Sequence, residues 1–199
     1  MVSSKFKERF EKFIASSVNP LASIGITPNA VTILGLIASI TSAWFYMNWE
    51  ANSLMLPIAA SLILVSGFID AIDGVLARTS GMTTRFGGFL DSVSDRYSDA
   101  VVLSAIVAAD LCRMEWGLAA IVGSLMVSYA RARAEAAGVK MAAVGIAERA
   151  ERMIFLALVT YGAYFNLELL RWGIVILAII VQVTVLQRAY HFYRAIDKG

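Results

Sequence analysis

Cysteine and histidine, the residues that form disulfides and zinc sites, are rare in the sequence. Its 199 residues include one cysteine, Cys112, and one histidine, His191. A single cysteine excludes a disulfide within the chain, and a cysteine-based zinc site is not expected with so few sulfur ligands. One histidine near the C-terminus cannot form a histidine-rich site either. We expect both residues to serve packing or the surface.

Proline and charged residues are scarce as well. There are three prolines, and charged residues make up 16% of the chain, whereas 59% of the residues are apolar. With a mean hydropathy of +0.71, the chain is too hydrophobic for an ordinary soluble domain. The net charge of +2 is too small to indicate a nucleic-acid partner, and we expect none. Residues 1–199 are interpreted as a single membrane domain.

The apolar residues fall into six runs, each close to the ~20 residues that cross the hydrocarbon core of a membrane. The runs cover residues 30–49, 54–77, 87–109, 116–132, 150–167 and 172–190. No proline lies in the middle of a run, and Trp49, Trp116 and Trp172 lie at run ends, where interfacial aromatics are common. The sequence therefore predicts an all-α integral membrane protein with a six-span bundle over residues 27–193.

Residues 1–19 are predicted to form an amphipathic juxtamembrane helix ahead of these spans. The apolar residues Phe6, Phe10, Phe13 and Ile14 recur at helical spacing, and the polar face is basic. The charges spread through this segment do not fit a signal peptide. The alternative interpretation is a solvated leader helix.

Lysine and arginine are unevenly distributed between the two sides of the predicted bundle. The loops near residues 50, 113 and 169 contain only Arg113 and Arg171, and the other fifteen of the seventeen basic residues fall on the opposite side. Cytoplasmic loops of membrane proteins carry the excess of basic residues. We therefore predict a multi-pass protein of the cell membrane, with both termini and the loop 79–86 in the cytoplasm.

Four carboxylates interrupt the second and third apolar runs, namely Asp70, Asp73, Asp91 and Asp95. A carboxylate at membrane depth costs roughly 2.5–3.5 kcal/mol, and a close pair adds on the order of 4 kcal/mol of repulsion. On helices, the first two share one face and the last two share another. Two facing helices would place four hard oxygen ligands around one point, which suits magnesium, manganese or calcium. The alternative is a set of polar residues that only pack helices together.

These aspartates belong to a longer pattern of eight residues at fixed spacing. It comprises Asp70, Asp73, Gly74, Ala77, Arg78, Gly87, Asp91 and Asp95. The pattern resembles the signature of the CDP-alcohol phosphatidyltransferases, membrane enzymes that build phospholipid headgroups, and every defined position matches. The resemblance implies a transferase that binds two Mg²⁺ or Mn²⁺ ions per site, with Asp70, Asp73 and Asp91 as ligands. It also implies that Asp95 either completes the second metal site or acts as the catalytic base.

The same resemblance implies residues that bind the CDP-linked lipid donor. Asn29 and Thr32 match the family's nucleotide-binding segment before the first span, although in isolation they also fit a helix start. Gly74 and Ala77 would leave room for the donor, and their alternative role is close helix packing. Arg78 would bind the diphosphate, or else simply face water at the cytoplasmic end of its span.

Five cations follow the fourth run and are predicted to surround the acceptor. They are Arg131, Arg133, Lys140, Arg149 and Arg152. The stretch resembles that of phosphatidylinositol-phosphate (or archaetidylinositol-phosphate) synthases, in which basic residues bind the phosphate of inositol phosphate. The resemblance implies a homodimer that transfers the lipid group to inositol phosphate and releases CMP, with glycerol 3-phosphate as the alternative acceptor. A loop whose charges only fix topology is the other interpretation.

One further aspartate lies outside the eight-residue pattern. Asp99 continues the helix face of Asp91 and Asp95, and we interpret it as a structural partner of an arginine, for which Arg96 is a candidate.

Intramembrane carboxylates also occur in divalent-cation transporters. Such transporters more often have inverted halves or spans broken in mid-membrane, and no proline breaks a span here.

Overall fold

The computed structural model describes residues 25–197, and this part of the chain is all-helical, without strands. One 3-10 helix, Trp49–Ala51, accompanies six α-helices. In chain order these are α1 (Pro28–Met47), α2 (Met55–Thr79), α3 (Arg85–Ala108), α4 (Met114–Ala136), α5 (Arg149–Ala163) and α6 (Glu168–Ile196). Each overlaps one predicted apolar run, so the predicted all-α class is confirmed for the described residues. The juxtamembrane helix predicted over residues 1–19 lies outside them.

Two helices begin at threonine caps that the local sequence dictates. The Thr27 side chain accepts a hydrogen bond from the Ala30 N–H, and Pro28 lies in the first turn, where its missing N–H is not needed. The Thr84 side chain accepts from the Gly87 N–H at 2.9 Å and starts α3. The helix start that Asn29 and Thr32 indicate in the sequence is therefore confirmed.

Three of the helices, α1, α2 and α6, are long and apolar enough to cross a membrane. Their outward faces expose large apolar side chains such as Leu34, Phe68 and Leu186, as expected of surfaces that contact lipid tails. Helices α3 and α4 carry several charged residues. Helix α5 has 15 residues, or about 22 Å, against the ~30 Å of a hydrocarbon core. The apolar helices indicate a membrane protein, whereas the number of crossings stays a prediction.

Polar contacts between small residues join the helices in the core. Helix α1 packs against α2 and α3, α2 also packs against α5, and α6 packs against α4 and α5. Ser66 on α2 lies 2.8 Å from the Ser39 hydroxyl on α1 and donates to the Gly35 carbonyl at 2.9 Å. Hydrogen bonds of this kind join helices in lipid, where no hydrophobic force drives them together. Helix α1 therefore contacts both helices that carry the aspartates.

A buried hydrogen bond joins the C-terminal end of α1 to α5. The Tyr46 hydroxyl lies 2.6 Å from the Thr160 Oγ1, and both residues are fully buried. Thr160 itself donates to the Leu156 carbonyl at 2.8 Å, so Tyr46 is the donor in the pair.

Thr160→Val is expected to destabilise the protein more than Tyr46→Phe. Valine leaves the buried tyrosine hydroxyl unsatisfied, at a cost of about 1–3 kcal/mol, whereas phenylalanine removes the donor and costs about 0.5–1.5 kcal/mol. The double variant should recover part of the loss. Thermal unfolding in detergent, followed by circular dichroism, measures the order of the midpoints. A Thr160→Val midpoint equal to that of the parent protein would contradict the contact.

Candidate active site

Three carboxylates from two helices converge beside the C-terminal half of α2. Asp70 lies on α2, and Asp91 and Asp95 lie one turn apart on α3. One ligand oxygen of each lies within 4.8 Å of the others. Three anionic oxygens at this separation repel one another unless a cation lies among them, and they match the ligand preference of Mg²⁺ and Mn²⁺. The residues present therefore fit a divalent metal ion.

Asp73, the fourth predicted ligand, is not part of this group of three. Its side chain is 5% exposed, and its Oδ2 accepts a hydrogen bond from the Thr32 hydroxyl at 2.5 Å. Residues three apart on a helix diverge by about 60°, so Asp73 points toward α1 while Asp70 points toward α3. The structure thus differs from the predicted four oxygens around one point. Asp73 lies beside the group and lines the same cavity as Asp91.

A cavity of about 300 Å³, called the polar cavity after the polar side chains among its walls, opens beside Asp73 and Asp91, between α1, α2 and the start of α3. The cavity walls include every residue predicted to bind the donor, namely Asn29, Thr32, Gly74, Ala77 and Arg78. Thr84 and Gly87 line the side formed by α3. The structure therefore brings the predicted donor residues together next to the carboxylates.

Two signature glycines leave space in this cavity. A methyl group added at Gly87 would lie 3.0 Å from both the Asn29 Oδ1 and the Thr84 Oγ1, which is tighter than ordinary contact. A methyl group at Gly74 would lie 3.3 Å from a guanidinium nitrogen of Arg78. A side chain at either position would therefore displace a group that lines the cavity. Both glycines are explained by close approach of neighbouring groups.

Arg149, the first residue of α5, extends its guanidinium into the carboxylate group. Its nitrogens lie 3.0 Å from an oxygen of Asp70, 2.8 Å from Asp95 and 3.6 Å from Asp99. The Arg149 side chain is 17% exposed, so these ion pairs are partly shielded from water. Arg149 therefore ties α5 to both helices that carry the aspartates.

Arg152, one turn further along α5, is bonded to protein groups only. It is 5% exposed, and it donates to Asp99 at 2.5 Å and to the Ala147 carbonyl at 3.0 Å. The predicted role of Arg152 in binding the acceptor phosphate does not fit this position, because a buried, paired guanidinium is not presented to a ligand. Asp99 has the arginine partner that the sequence predicts, but the partner is Arg152. The candidate Arg96 instead donates to the Ser92 carbonyl of its own helix.

The other three predicted acceptor residues are exposed. Arg131 pairs with Glu135 on its own helix at 2.9 Å, and Arg133 and Lys140 lie on the surface at or beyond the end of α4. Within the part of the chain that the structure describes, none of the three pairs with an aspartate of the site. Of the five predicted acceptor residues, Arg149 alone reaches the group of three carboxylates.

A buried arginine on α6, Arg188, was not singled out in the sequence. It is 3% exposed, and it donates to the Val127 carbonyl at 2.5 Å and to the Val144 carbonyl at 2.9 Å. It thereby ties the loop between α4 and α5 to α4 and α6. A sequence signal was present, because an arginine inside an apolar run is costly unless it is bonded.

An apolar groove of about 300 Å³ lies on the other side of the carboxylates, between α2 and α5. Asp70 and Arg149 form its polar wall, and Leu64, Phe68 and Ile154 are among its apolar walls. The carboxylate group therefore lies between a polar cavity and an apolar groove of similar volume. A ligand with a nucleotide at one end and lipid tails at the other would match both.

The sequence pattern of one enzyme family covers most of the chain. The pattern described as CDP-alcohol phosphatidyltransferase matches residues 25–186. The chain belongs to the CDP-alcohol phosphatidyltransferase family. The resemblance carried by the eight signature residues is thereby confirmed, and the protein is a transferase of phospholipid biosynthesis.

Relatives of this transferase extend over its whole length. It is 38% identical to the archaetidylinositol phosphate synthase of Pyrococcus horikoshii, over 98% of this chain and 99% of the relative. It is 31% identical to the phosphatidylinositol phosphate synthase of Mycobacterium tuberculosis, whose crystal structure with CDP-DAG bound matches with a TM-score of 0.79 over 92% of this chain and 94% of that chain. A crystal structure of the same mycobacterial enzyme with manganese and citrate also matches with a TM-score of 0.79, over 90% of this chain and 88% of that chain.

Asp70→Asn and Asp91→Asn are each expected to abolish CMP release and weaken Mn²⁺ binding. Each change removes an anionic ligand, so the loss should exceed the roughly 10–100-fold found when a neighbour of a metal ligand is removed. CMP release from a CDP-lipid and Mn²⁺ titration followed by electron paramagnetic resonance measure the two effects. Asp110→Asn, an identical change in the loop after α3, should leave both unchanged. Parent-like Mn²⁺ affinity in both active-site variants would rule out the metal assignment.

Proposed function

We propose that the protein transfers the phosphatidyl-type group of a CDP-linked lipid to a hydroxyl of inositol phosphate. The acceptor oxygen attacks the phosphorus that bears the lipid, the bond from that phosphorus to CMP breaks, and CMP leaves. The product is a phosphatidylinositol-phosphate-type lipid, and the donor decides whether its tails are ester- or ether-linked.

The observation that carries this proposal is the position of the carboxylate group between the two cavities. Asp91 lines the polar cavity, and Asp70 lines the apolar groove. A CDP-lipid laid across them would place its nucleotide near Asn29 and its tails along Phe68. Its diphosphate would then lie at the carboxylates, where the reaction takes place.

The aspartates are proposed to hold two divalent ions, Mg²⁺ or Mn²⁺. Asp70, Asp73 and Asp91 serve as ligands. Two such ions would neutralise the diphosphate and polarise the reacting phosphorus. Arg78, on the wall of the polar cavity, holds a diphosphate oxygen through its guanidinium.

Asp95 has two candidate roles in this proposal. It completes the second metal site, or it takes the proton from the acceptor hydroxyl as the catalytic base. Asp95→Asn would abolish turnover in both cases. Mn²⁺ affinity would fall only if Asp95 is a ligand, so the titration described above distinguishes the roles.

Inositol phosphate is favoured as the acceptor by the relatives and by Arg149. The relatives compared above are named as synthases of archaetidylinositol phosphate and phosphatidylinositol phosphate. Arg149 offers a phosphate a partly exposed guanidinium at the carboxylate group. Arg131, Arg133 and Lys140 add positive potential that attracts a dianion. Glycerol 3-phosphate, also a phosphorylated alcohol, is the second candidate.

All six helices are proposed to cross the cell membrane, with both termini and the carboxylates on the cytoplasmic side. Support comes from the charges, because only two of the twelve basic residues between residues 25 and 197 lie at the opposite end of the bundle. Two copies are proposed to form a homodimer.

The assay that tests the proposed function is CMP release by purified protein with a CDP-lipid and Mg²⁺. Four reactions contain inositol phosphate, inositol, glycerol 3-phosphate or no alcohol. We expect the fastest release with inositol phosphate and none after treatment with EDTA. Fast release with glycerol 3-phosphate but not with inositol phosphate would show that glycerol 3-phosphate is the acceptor. Full release after EDTA treatment would contradict the metal-dependent mechanism.

Arg149→Ala is expected to raise the apparent KM for inositol phosphate by about 10- to 150-fold. The variant loses a charged hydrogen bond worth about 1.5–3 kcal/mol. The loss should be far smaller with unphosphorylated inositol, which has no phosphate to bind. Arg194→Gln, which removes an exposed charge near the end of α6, is the matched control. An equal loss with both acceptors would show that Arg149 acts through the aspartates instead.

A cysteine at Thr83 is expected to react with an impermeant thiol reagent only from the cytoplasmic side. Thr83 is exposed in the loop between α2 and α3, next to the polar cavity. The native Cys112 is replaced by alanine, so that a single thiol is present. Ser53→Cys, exposed in the loop between α1 and α2, should label only from the outside. The reverse pattern would invert the proposed topology.

A further inference from the structure

A separate cavity lies at the end of the bundle away from the carboxylates. It has a volume of about 510 Å³ and lies where the loop between α3 and α4 meets the first turn of α6. Four charged side chains and two tryptophans are among its walls, namely Asp110, Arg113, Glu168, Arg171, Trp116 and Trp172. It shares no residue with the polar cavity or the apolar groove of the active site.

The two arginines of this cavity lie at the end of the bundle where basic residues are rare. In the part of the chain described here, Arg113 and Arg171 are the only basic residues at this end of the bundle, and both line the same cavity. Each pairs with an acidic neighbour in its own segment, Arg171 with Glu168 at 2.6 Å and Arg113 with Glu115. Both pairs are exposed, and exposed ion pairs contribute little. Each guanidinium can therefore exchange its carboxylate for a phosphate.

The first turns of two helices add to the attraction for an anion. Helix α4 begins at Met114 and contributes Trp116, and helix α6 begins at Glu168 and contributes Trp172. The positive dipole ends of both helices therefore lie at the same end of the bundle as the two arginines.

Asp110 adds a hydrogen-bond acceptor to the walls. It follows the C-terminus of α3 with a φ of 54°, in the left-handed region that glycine adopts more readily. A carboxylate there is also repelled by the negative end of the helix dipole. The acidic side chain is thus present in spite of two local costs, and it offers an acceptor to a hydroxyl or ammonium group.

We propose that this cavity binds the phosphodiester headgroup of a membrane phospholipid from the leaflet opposite the active site. Its volume is suited to a small ligand. Trp172 is 64% exposed, and tryptophans at span ends lie at headgroup depth. Arg113 and Arg171 hold the phosphodiester, Asp110 and Glu168 bond the polar substituent, and the tails lie beside Trp172 along the apolar outer face of α6.

The test uses the full chain, delipidated in detergent and titrated with dioleoyl phosphatidylglycerol. Native mass spectrometry counts the bound lipid. We expect Arg113→Gln and Arg171→Gln each to weaken the saturable binding by about tenfold, as for a lost charged hydrogen bond, and Trp172→Leu to weaken it without a change of charge. Arg194→Gln removes the same charge from the other end of α6 and should keep the parent affinity. CMP release by all four variants shows that they are folded.

The tail-free headgroup glycerophosphoglycerol separates a lipid site from a site for soluble phosphate esters. The lipid should bind at least about tenfold more tightly, because the tails contribute apolar contact. Equal affinity for both ligands would overturn the assignment to a lipid. If Arg113→Gln and Arg171→Gln bind the lipid with the same affinity as the Arg194→Gln control, the proposed site is wrong. Neither result would affect the proposed transfer reaction, which takes place at the other end of the bundle.

Discussion

The gathering of aspartates in an apolar helix bundle is the constraint on which the rest of the site depends. A charge removed from water costs several kcal/mol unless it is paired and hydrogen-bonded. The structure supplies partners from other helices: Thr32 for Asp73, Arg149 for Asp70 and Asp95, and Arg152 for Asp99. The three oxygens of Asp70, Asp91 and Asp95 remain close enough to share a divalent cation. Helix α1 and helix α5 are therefore as necessary to the site as the two helices that carry the signature.

The two arginines at the start of α5 have different roles, one in the packing of the helices and one at the carboxylates. The Arg152–Asp99 pair is nearly buried on both sides, so removing one member would leave an uncompensated charge. This pair joins α5 to α3. Arg149, one turn earlier on the same helix, is more exposed and lies among the carboxylates. Asp99, which lies outside the family signature, therefore positions the cation that is proposed to meet the acceptor phosphate.

Much of the site could be predicted from spacing, because helical periodicity decides which residues share a face. Asp70, Asp91 and Asp95 do converge, as their spacing predicts. The candidate donor residues from Asn29 to Arg78, which the family resemblance supplied, line one cavity. The sequence did not predict the contacts through which a neighbouring helix decides the direction of a side chain. Asp73 points to Thr32 on α1, and Arg152 is bonded to Asp99 on α3. Spacing within one helix carries no information about either contact, and the buried role of Arg188 likewise depends on carbonyls distant in sequence.

The loop between α4 and α5 explains why α5 is short and why Arg149 reaches the aspartates. Met141 is 1% exposed and Ala147 is 3% exposed, so these two residues anchor the loop against the protein. Arg188 holds the Val144 carbonyl, and Gly145, with a φ of 112°, lies against Thr184 where a side chain would not fit. The loop is thus held against the bundle, and α5 begins only at Arg149, beside the carboxylates. The loop that makes α5 the shortest of the six helices in the described residues therefore also delivers a cation to the carboxylates.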